Sequence, residues 1–191
     1  QERGRRLALI GDILDESRPL LDDLMGLAHP DEGAARMHDL VELVANFHDH
    51  ARRVIPAAIE MRYEAADLSL PVLVNPRGLE HALWNLVINA RQAIDGGGVI
   101  TMRTGRHAQE AWVEIADTGC GIPETIRPRI FDPYFTTKPP GQGTGLGLAA
   151  VERFVRGSNG RIDVASQPGR GTTFRLEFPL LAADGATAAS A

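Results

Sequence analysis

The chain reads as an α/β two-layer sandwich: a mixed, mostly antiparallel sheet with helices on one face, preceded by a helical segment. Three features predict this. Several short segments alternate apolar and polar residues with a period of two, the pattern of strands buried on one side. Between them, residues 78–94 repeat apolar residues at helical spacing. Helices and strands also follow one another in an order that stacks the helices on a sheet.

Taken in order, Leu7, Ile10, Leu14, Leu21 and Leu24 fall at spacings of three, four and seven, one stripe along a helix from Arg5 to Met25. Pro19 should kink that helix or start a new segment. So narrow a stripe suits a partner helix, as in a dimer hairpin or coiled coil, or equally a helix packed on its own domain. His29-Pro30-Asp31-Glu32-Gly33 is a break. A second helix is expected from about Met37 to Ile55. Ile59, Met61 and Tyr63 then alternate with Glu60, Arg62 and Glu64, a strand, and Leu70 to Val74 forms another. In the helix from Gly78 to Ile94, Leu79, Leu83, Leu86, Val87, Ala90 and Ile94 share one face, and the glycines at 96–98 end it. Strands are expected near Val99–Thr104 and Ala111–Ala116, a helix near Leu146–Val155, and strands near Gly160–Ala165 and Thr172–Phe178. Ala182 to Ala191 reads as a disordered tail. The expected organisation is a helical segment over 1–36, a folded domain over 37–180 and a tail over 181–191.

Composition narrows the function classes. The 191 residues are 43% hydrophobic, enough for one domain with a core plus an appendage. A formal net charge of −5 argues against nucleic acid as a partner. One cysteine, Cys120, excludes an internal disulfide framework and fits a reducing, cytoplasmic setting. No apolar run approaches the roughly 20 residues that span a bilayer. The chain opens on Gln1 without a signal-peptide pattern, which is compatible with a fragment of a membrane-anchored parent.

Three stretches carry chemistry. In the helix from Gly78 to Ile94, Asn85 and Asn89 lie four apart on one face, with His81 one turn earlier. Asparagine is a poor residue in mid-helix, so two of them stacked away from the leucines need a reason. Their amide oxygens suit a hard cation such as Mg²⁺ that keeps phosphate oxygens among its ligands; a plain solvent-facing polar stripe is the competing reading. DTGCGIP follows a strand, which sets Asp117 at the strand end while Gly119 and Gly121 allow close approach to a ligand. A carboxylate there could accept from the exocyclic amine of adenine, or could simply belong to an aspartate–glycine turn. Gly141, Gly143, Gly145 and Gly147 alternate with Gln142, Thr144 and Leu146 just before a helix. Such amides make an anion site, and with Pro139 and Pro140 the same segment also describes a mobile lid. It is neither a P-loop nor a dinucleotide fingerprint.

These motifs together resemble the ATP-binding catalytic domain of sensor histidine kinases, in the GHKL ATPase superfamily, over roughly Asp39 to Leu180. NLVINA is similar to that family's asparagine box, with Asn89 at its Mg²⁺ ligand and Asn85 at its companion. DTGCGIP, which includes Ile122, resembles the first glycine box, with Asp117 on the adenine amine. FDPYFTTK is similar to the phenylalanine box: Phe131 and Phe135 would pack under the lid, and Thr137 and Lys138 would lie near the phosphates. GTGLGL matches the second glycine box through Gly143, Thr144, Gly145, Leu146, Gly147 and Leu148. GRGTTFRLEFP resembles the closing strand pair, with Thr172 supporting the aspartate. The wording FDPYFTTKPPGQGTGLGL looks most like the nitrogen- and oxygen-sensing subgroup.

The resemblance implies ATP and Mg²⁺ as cofactors and transfer of the γ-phosphoryl group to a histidine on a dimerisation hairpin. It also implies relay to a response-regulator receiver domain and a homodimeric full-length protein. A regulatory nucleotide-binding module, or a kinase biased toward dephosphorylation, is the alternative. In members that hydrolyse ATP, such as DNA gyrase and MutL, a glutamate four residues before the first asparagine activates water. Here that position is His81, with Glu80 about 100° away around the helix, which counts against a dedicated ATPase. Gly157-Ser158-Asn159-Gly160 replaces the HGG of many relatives, a difference expected to affect only a loop. His38-Asp39 and His48-Asp49 could each be read as a phosphoacceptor box. Only about 47 residues separate His38 from Asn85, however, too few to hold both a hairpin and the first elements of the domain. His48 and His50 are therefore expected to be solvated on a domain helix, with the acceptor histidine upstream of Gln1.

Overall fold

The computed structural model describes residues 34–139 and 143–181. The Leu7–Leu24 stripe and the alanine-rich stretch from Ala182 lie outside them. The elements run β1 (Arg36–Asp39), α1 (Leu40–Val54), β2 (Ile59–Glu64), β3 (Pro71–Val74), α2 (Pro76–Ala93), β4 (Gly98–His107) and β5 (Glu110–Asp117). A short 3₁₀ turn (Arg127–Arg129) precedes α3 (Gly147–Gly157), β6 (Arg161–Gln167) and β7 (Gly171–Pro179). Five strands form the main sheet in the order β2-β4-β5-β7-β6, antiparallel except for the parallel β2–β4 pair. The helices cover one face, so the mixed, mostly antiparallel two-layer sandwich is observed. No helix among the described residues is long and apolar enough to cross a membrane.

Register aligns the inward side chains into rows. Met102 opposes Ile115, Ile115 opposes Phe174, and Phe174 opposes Val164. The next row runs through Thr104, Val113, Leu176 and Ile162. Against these rows α2 buries Leu79, Leu83, Leu86, Val87 and Ala90, and α1 buries Leu40, Val44 and Phe47. That shared apolar surface supplies the main driving force for docking the helical layer on the sheet.

Of the boundaries that differ from expectation, two have clear causes. The helix expected from Met37 starts at Leu40, because Arg36–Asp39 pairs antiparallel with Pro71–Val74 as a small second sheet. Asp39 is the turning point. Its Oδ1 accepts from Val41 N at 2.9 Å as a helix cap and from Leu70 N at 3.1 Å, tying the cap to β3. Residues 76 and 77 belong to α2, since Asn75 caps it by accepting from Arg77 N at 3.0 Å and Pro76 suits the first helical position. Gly78 is then a packing residue inside the helix: a Cβ there would fall 2.6 Å from the Phe154 ring of α3.

Candidate nucleotide site

The polar face of α2 is a spine along which every motif is arranged. Near its start Gly78 meets Phe154 of α3. Two turns on, a Cβ at Gly147 would fall 2.6 Å from Asn85 Oδ1, so the first residue of α3 abuts the first asparagine. One turn further, Asn89 Oδ1 accepts from Lys138 Nζ at 3.3 Å. At the helix end the Ala93 carbonyl accepts from Cys120 N at 2.9 Å, and a Cβ at Gly119 would collide with the same residue. From Asn85 to Ala93 the helix advances about 12 Å. The asparagines therefore do not face bulk solvent as a plain polar stripe: both are partly buried beneath segments from the lid and α3.

Asp117 closes one end of this strip. It continues the inward phase of Ala111, Val113 and Ile115 on β5, one row beyond the apolar ones, and pairs in register with Ile100. A carboxylate is thereby aimed into the helical layer. Its Oδ1 accepts from Gly119 N at 2.8 Å and Thr172 N at 3.3 Å, which leaves Oδ2 for a ligand. Burial raises the carboxyl above its ordinary range, against the opposing pull of those two amides. The backbone around it leaves no slack. Gly171, at φ +94°, lies so near that a Cβ would fall 1.9 Å from the Asp117 carbonyl oxygen. At Gly121, φ +72°, a Cβ would fall 2.2 Å from the Gln167 oxygen.

Thr172 supports the aspartate through its backbone amide, while its side chain turns to Ser166, Oγ1 to Oγ 2.9 Å. Ser166 is a residue the motifs do not reveal. Its Oγ accepts from Ile122 N at 2.7 Å and lies 3.0 Å from the Gly171 carbonyl, binding the glycine loop to the closing strands. A signal for it does exist: Ile162, Val164 and Ser166 share the inward phase of β6, and a hydroxyl in that phase needs polar partners. Arg127, also overlooked, donates to the Ser166 carbonyl at 3.2 Å.

The other end of the strip is looser. Phe131 packs edge-on against Phe174, ring centroids 6.5 Å apart, and the Arg129 guanidinium lies 4.5 Å from the Phe135 ring centre. Both phenylalanines anchor the segment on the core. Tyr134 is held at φ +67°, its N–H donating a hydrogen bond to the Gly145 carbonyl at 2.9 Å, and a Cβ at Gly145 would strike it. Thr144 Oγ1 accepts from Leu146 N at 3.2 Å, Leu148 packs on the core, and Gly143 lies against the Lys138 stem. Thr137 is exposed, apart from these contacts. Residues 140–142 lie outside the described residues, Gly141 and Gln142 among them.

The histidines separate cleanly. His81 is exposed and its carbonyl accepts from Asn85 Nδ2 at 3.1 Å. Glu80 points to α1, 3.7 Å from His50 Nδ1, so no carboxylate at that position of α2 faces the strip. His50 is exposed as expected, but His48 is not solvated: its side chain is 11% exposed and stacks on Tyr63 at 5.7 Å. The α1 face that carries His48 packs over β2, which periodicity on α1 alone does not show. His38 lies in β1, its Nε2 buried. A separate cavity of about 190 Å³ between α1 and α2 is lined by Leu43, Phe47, Leu79 and Leu83, on the opposite side of α2 from Asn85 and Asn89.

Among the described residues no group of three or more His, Cys, Asp or Glu side chains is placed to hold a metal. The Asn89 oxygen already accepts from a cation, the Lys138 ammonium. Such a site suits a hard ion that brings most of its own ligands, as Mg²⁺ does when carried by phosphates.

A half-buried carboxylate at a strand end, a helix presenting two amides, and a glycine segment leading into a helix N-terminus thus meet on one side of an α/β sandwich. Residues 74–182 match the family described as histidine kinase-, DNA gyrase B- and HSP90-like ATPases, and the chain belongs to that family. It is 34% identical over 158 residues to the sensor kinase CckA of Brucella abortus, covering 75% of this chain and 17% of that one. It is also 34% identical over 171 residues to the sensor histidine kinase ZraS of Escherichia coli K12, covering 87% of this chain and 36% of the relative. The chain thus spans about a third or less of these relatives. The nucleotide-free catalytic domain of the histidine kinase ThkA superposes with a TM-score of 0.69 at 28% identity, over 78% of this chain and 97% of that domain.

Proposed function

We propose that residues 37–180 are the ATP-binding catalytic domain of a two-component sensor histidine kinase, and that residues 1–36 are the second helix of the dimerisation hairpin plus a linker, the acceptor histidine lying upstream on that hairpin. The observation that carries this reading is the convergence of four motifs on one face of α2, with Asp117 Oδ2 at one end and the amide of Asn89 near the other. Asp117 accepts from the adenine amine, with Gly119, Gly121, Ile122 and Thr172 shaping the base pocket. Asn89, with Asn85 beside it, holds Mg²⁺, which supplies charge neutralisation on the phosphates. Lys138 and the segment from Gly143 to Leu148 enclose the triphosphate, and Phe131 and Thr137 belong to the same cover.

A histidine nitrogen of the hairpin attacks the γ-phosphorus, ADP leaves, and the phosphoryl group passes on to a response-regulator aspartate. Positioning and electrostatics account for such catalysis, since the phosphoryl transition state requires little covalent help from the protein. The placement of His38 in a paired strand and of His48 against Tyr63 supports an acceptor elsewhere in the parent protein. Glu80, engaged toward His50, supports transfer over ATP hydrolysis.

The test is calorimetric titration with a non-hydrolysable ATP analogue, with and without Mg²⁺, on this chain and on Asp117→Asn. Saturable Mg²⁺-dependent binding that the substitution abolishes is the expected result; no binding at millimolar nucleotide overturns the site. Phosphotransfer to a supplied hairpin domain then separates a kinase from a regulatory nucleotide-binding module.

A further inference from the structure

Lys138 is the only lysine in the chain, against nineteen arginines. Its Nζ donates to Asn89 Oδ1 at 3.3 Å and also to Gln92 Oε1, bridging two side chains one turn apart on α2. The bridge lies over the last turn of that helix, which ends at Ala93, where the macrodipole favours a cation. A lysine ammonium is a compact point charge on a flexible stem, a closer match to a metal ion than a planar guanidinium. The oxygen it occupies is the one assigned above to the metal.

We propose that Gln92 is a positioning residue: it holds the Lys138 ammonium on the Asn89 oxygen in the nucleotide-free protein, so that a lysine fills the cation position until a metal–nucleotide complex displaces it. The inference rests on the nucleotide reading given above. Two cations cannot share one short amide oxygen without strong repulsion, so loading the metal requires Lys138 to leave Asn89. Breaking its bond to Gln92 is a cost of that exchange. Once released, Lys138 carries its charge to the phosphates, so its release is coupled to arrival of the metal. Gln92 contacts no nucleotide in this scheme and acts only through Lys138.

Gln92→Leu tests it, because Gln92 is exposed and leucine is a good helix former, leaving fold and core intact. Calorimetry with the ATP analogue should show about tenfold tighter binding in Mg²⁺, the worth of one hydrogen bond from a charged donor, and little change with the metal chelated. A second readout needs no nucleotide. Mild amine acylation followed by peptide mass spectrometry reads Lys138 alone, apart from the chain terminus. The variant should acylate several-fold faster than wild type, because an ammonium donating to two oxygens is a poor nucleophile. Equal acylation rates, or an unchanged difference between Mg²⁺ and chelated affinities, overturn the proposal. Weaker Mg²⁺–nucleotide binding also overturns it, by showing that Gln92 supports the bound state. A wild-type protein that binds no nucleotide in either condition overturns the site itself, and the exchange with it.

Discussion

The two ends of the α2 face are built by opposite means. At the Asp117 end the geometry is locked mainly by backbone: glycines at positive φ and amides on Oδ1, helped by a part-buried Ser166–Thr172 pair. At the Lys138 end one backbone bond, Tyr134 to Gly145, fixes the base of the segment, and the contact to α2 is made by a side chain reaching across 49 positions of sequence to Asn89. On the proposed function the base end is formed before a ligand arrives, while the phosphate end rearranges. On that reading the division lets the base end hold the nucleotide while only the phosphate end moves.

The largest break in this comparison comes from Gly121→Ala. The new Cβ meets the Gln167 carbonyl at a φ that side chains rarely adopt, and backbone cannot give way as a side-chain end can. We expect a loss of about 3 kcal/mol in stability, a fall in Tm of roughly 6–12 °C, and loss of nucleotide binding. Differential scanning calorimetry alongside the titration checks it. A variant as stable as wild type would show that the base pocket is not locked.

Asp117→Asn separates recognition from stability. An asparagine must keep its oxygen on the Gly119 and Thr172 amides, so it turns its NH₂ toward the adenine amine, donor against donor. Binding should weaken by about a hundredfold or more, in line with a buried polar mismatch of roughly 3 kcal/mol. Stability should hold or rise, because a desolvated charge has gone. The same carboxyl sets a pH dependence. With its pKa raised in the fold, the native state holds the proton over a window above 3.8 where the unfolded chain has released it. This group's contribution to stability thus declines as pH rises through that window. Nucleotide affinity moves the other way, falling as acid protonates Asp117 at a higher pH than for an ordinary aspartate. A profile unchanged by Asp117→Asn would remove this residue from recognition.

Ser166→Ala loosens the pocket without touching the ligand. It strips the acceptor from Ile122 N and the partner from Thr172, and an amide left unpaired costs about 1–3 kcal/mol. Nucleotide affinity should drop less than for Asp117→Asn, and Ser166→Thr should recover part of the loss where the added methyl fits. Equal stability of Ser166→Ala and wild type would show that the loop is held by its glycines alone.

Much of the base end was legible in the sequence, because it depends on local periodicity. Asp117 follows Ala111, Val113 and Ile115 in strand phase, and Asn85 and Asn89 follow helical phase. The start of α1 was missed by three residues: the Asp39 cap on Val41 is local, but the pairing of Arg36–Asp39 with Pro71–Val74 that displaces the helix start is made across the sequence. Ser166 and Gln92 escaped for the same reason: each is defined by partners distant in sequence, and neither falls in a recurring motif. His48 was misjudged because the strand that buries it pairs elsewhere in the chain. Residues inside recurring motifs were found by pattern, and residues that hold those motifs in place were not.

The smallest expected effect is the sharpest control on the comparison. Gly143→Ala places a Cβ 2.9 Å from Lys138 Cδ and from Thr136 Oγ1, still inside ordinary contact distance, though less close than the nearest approaches at Gly119, Gly121 and Gly171. Gly143 is not among the residues at positive φ, and both contacts are movable side-chain atoms on a partly exposed segment. The substitution should therefore change stability by less than about 0.5 kcal/mol, partly offset by the lower chain entropy of alanine in the unfolded state. Its trace should appear instead in Lys138, whose stem is pushed aside, as faster amine acylation and a modest shift in Mg²⁺–nucleotide affinity. A stability loss comparable to that of Gly121→Ala would mean that the phosphate end is locked as firmly as the base end, and the division of labour along α2 would not hold.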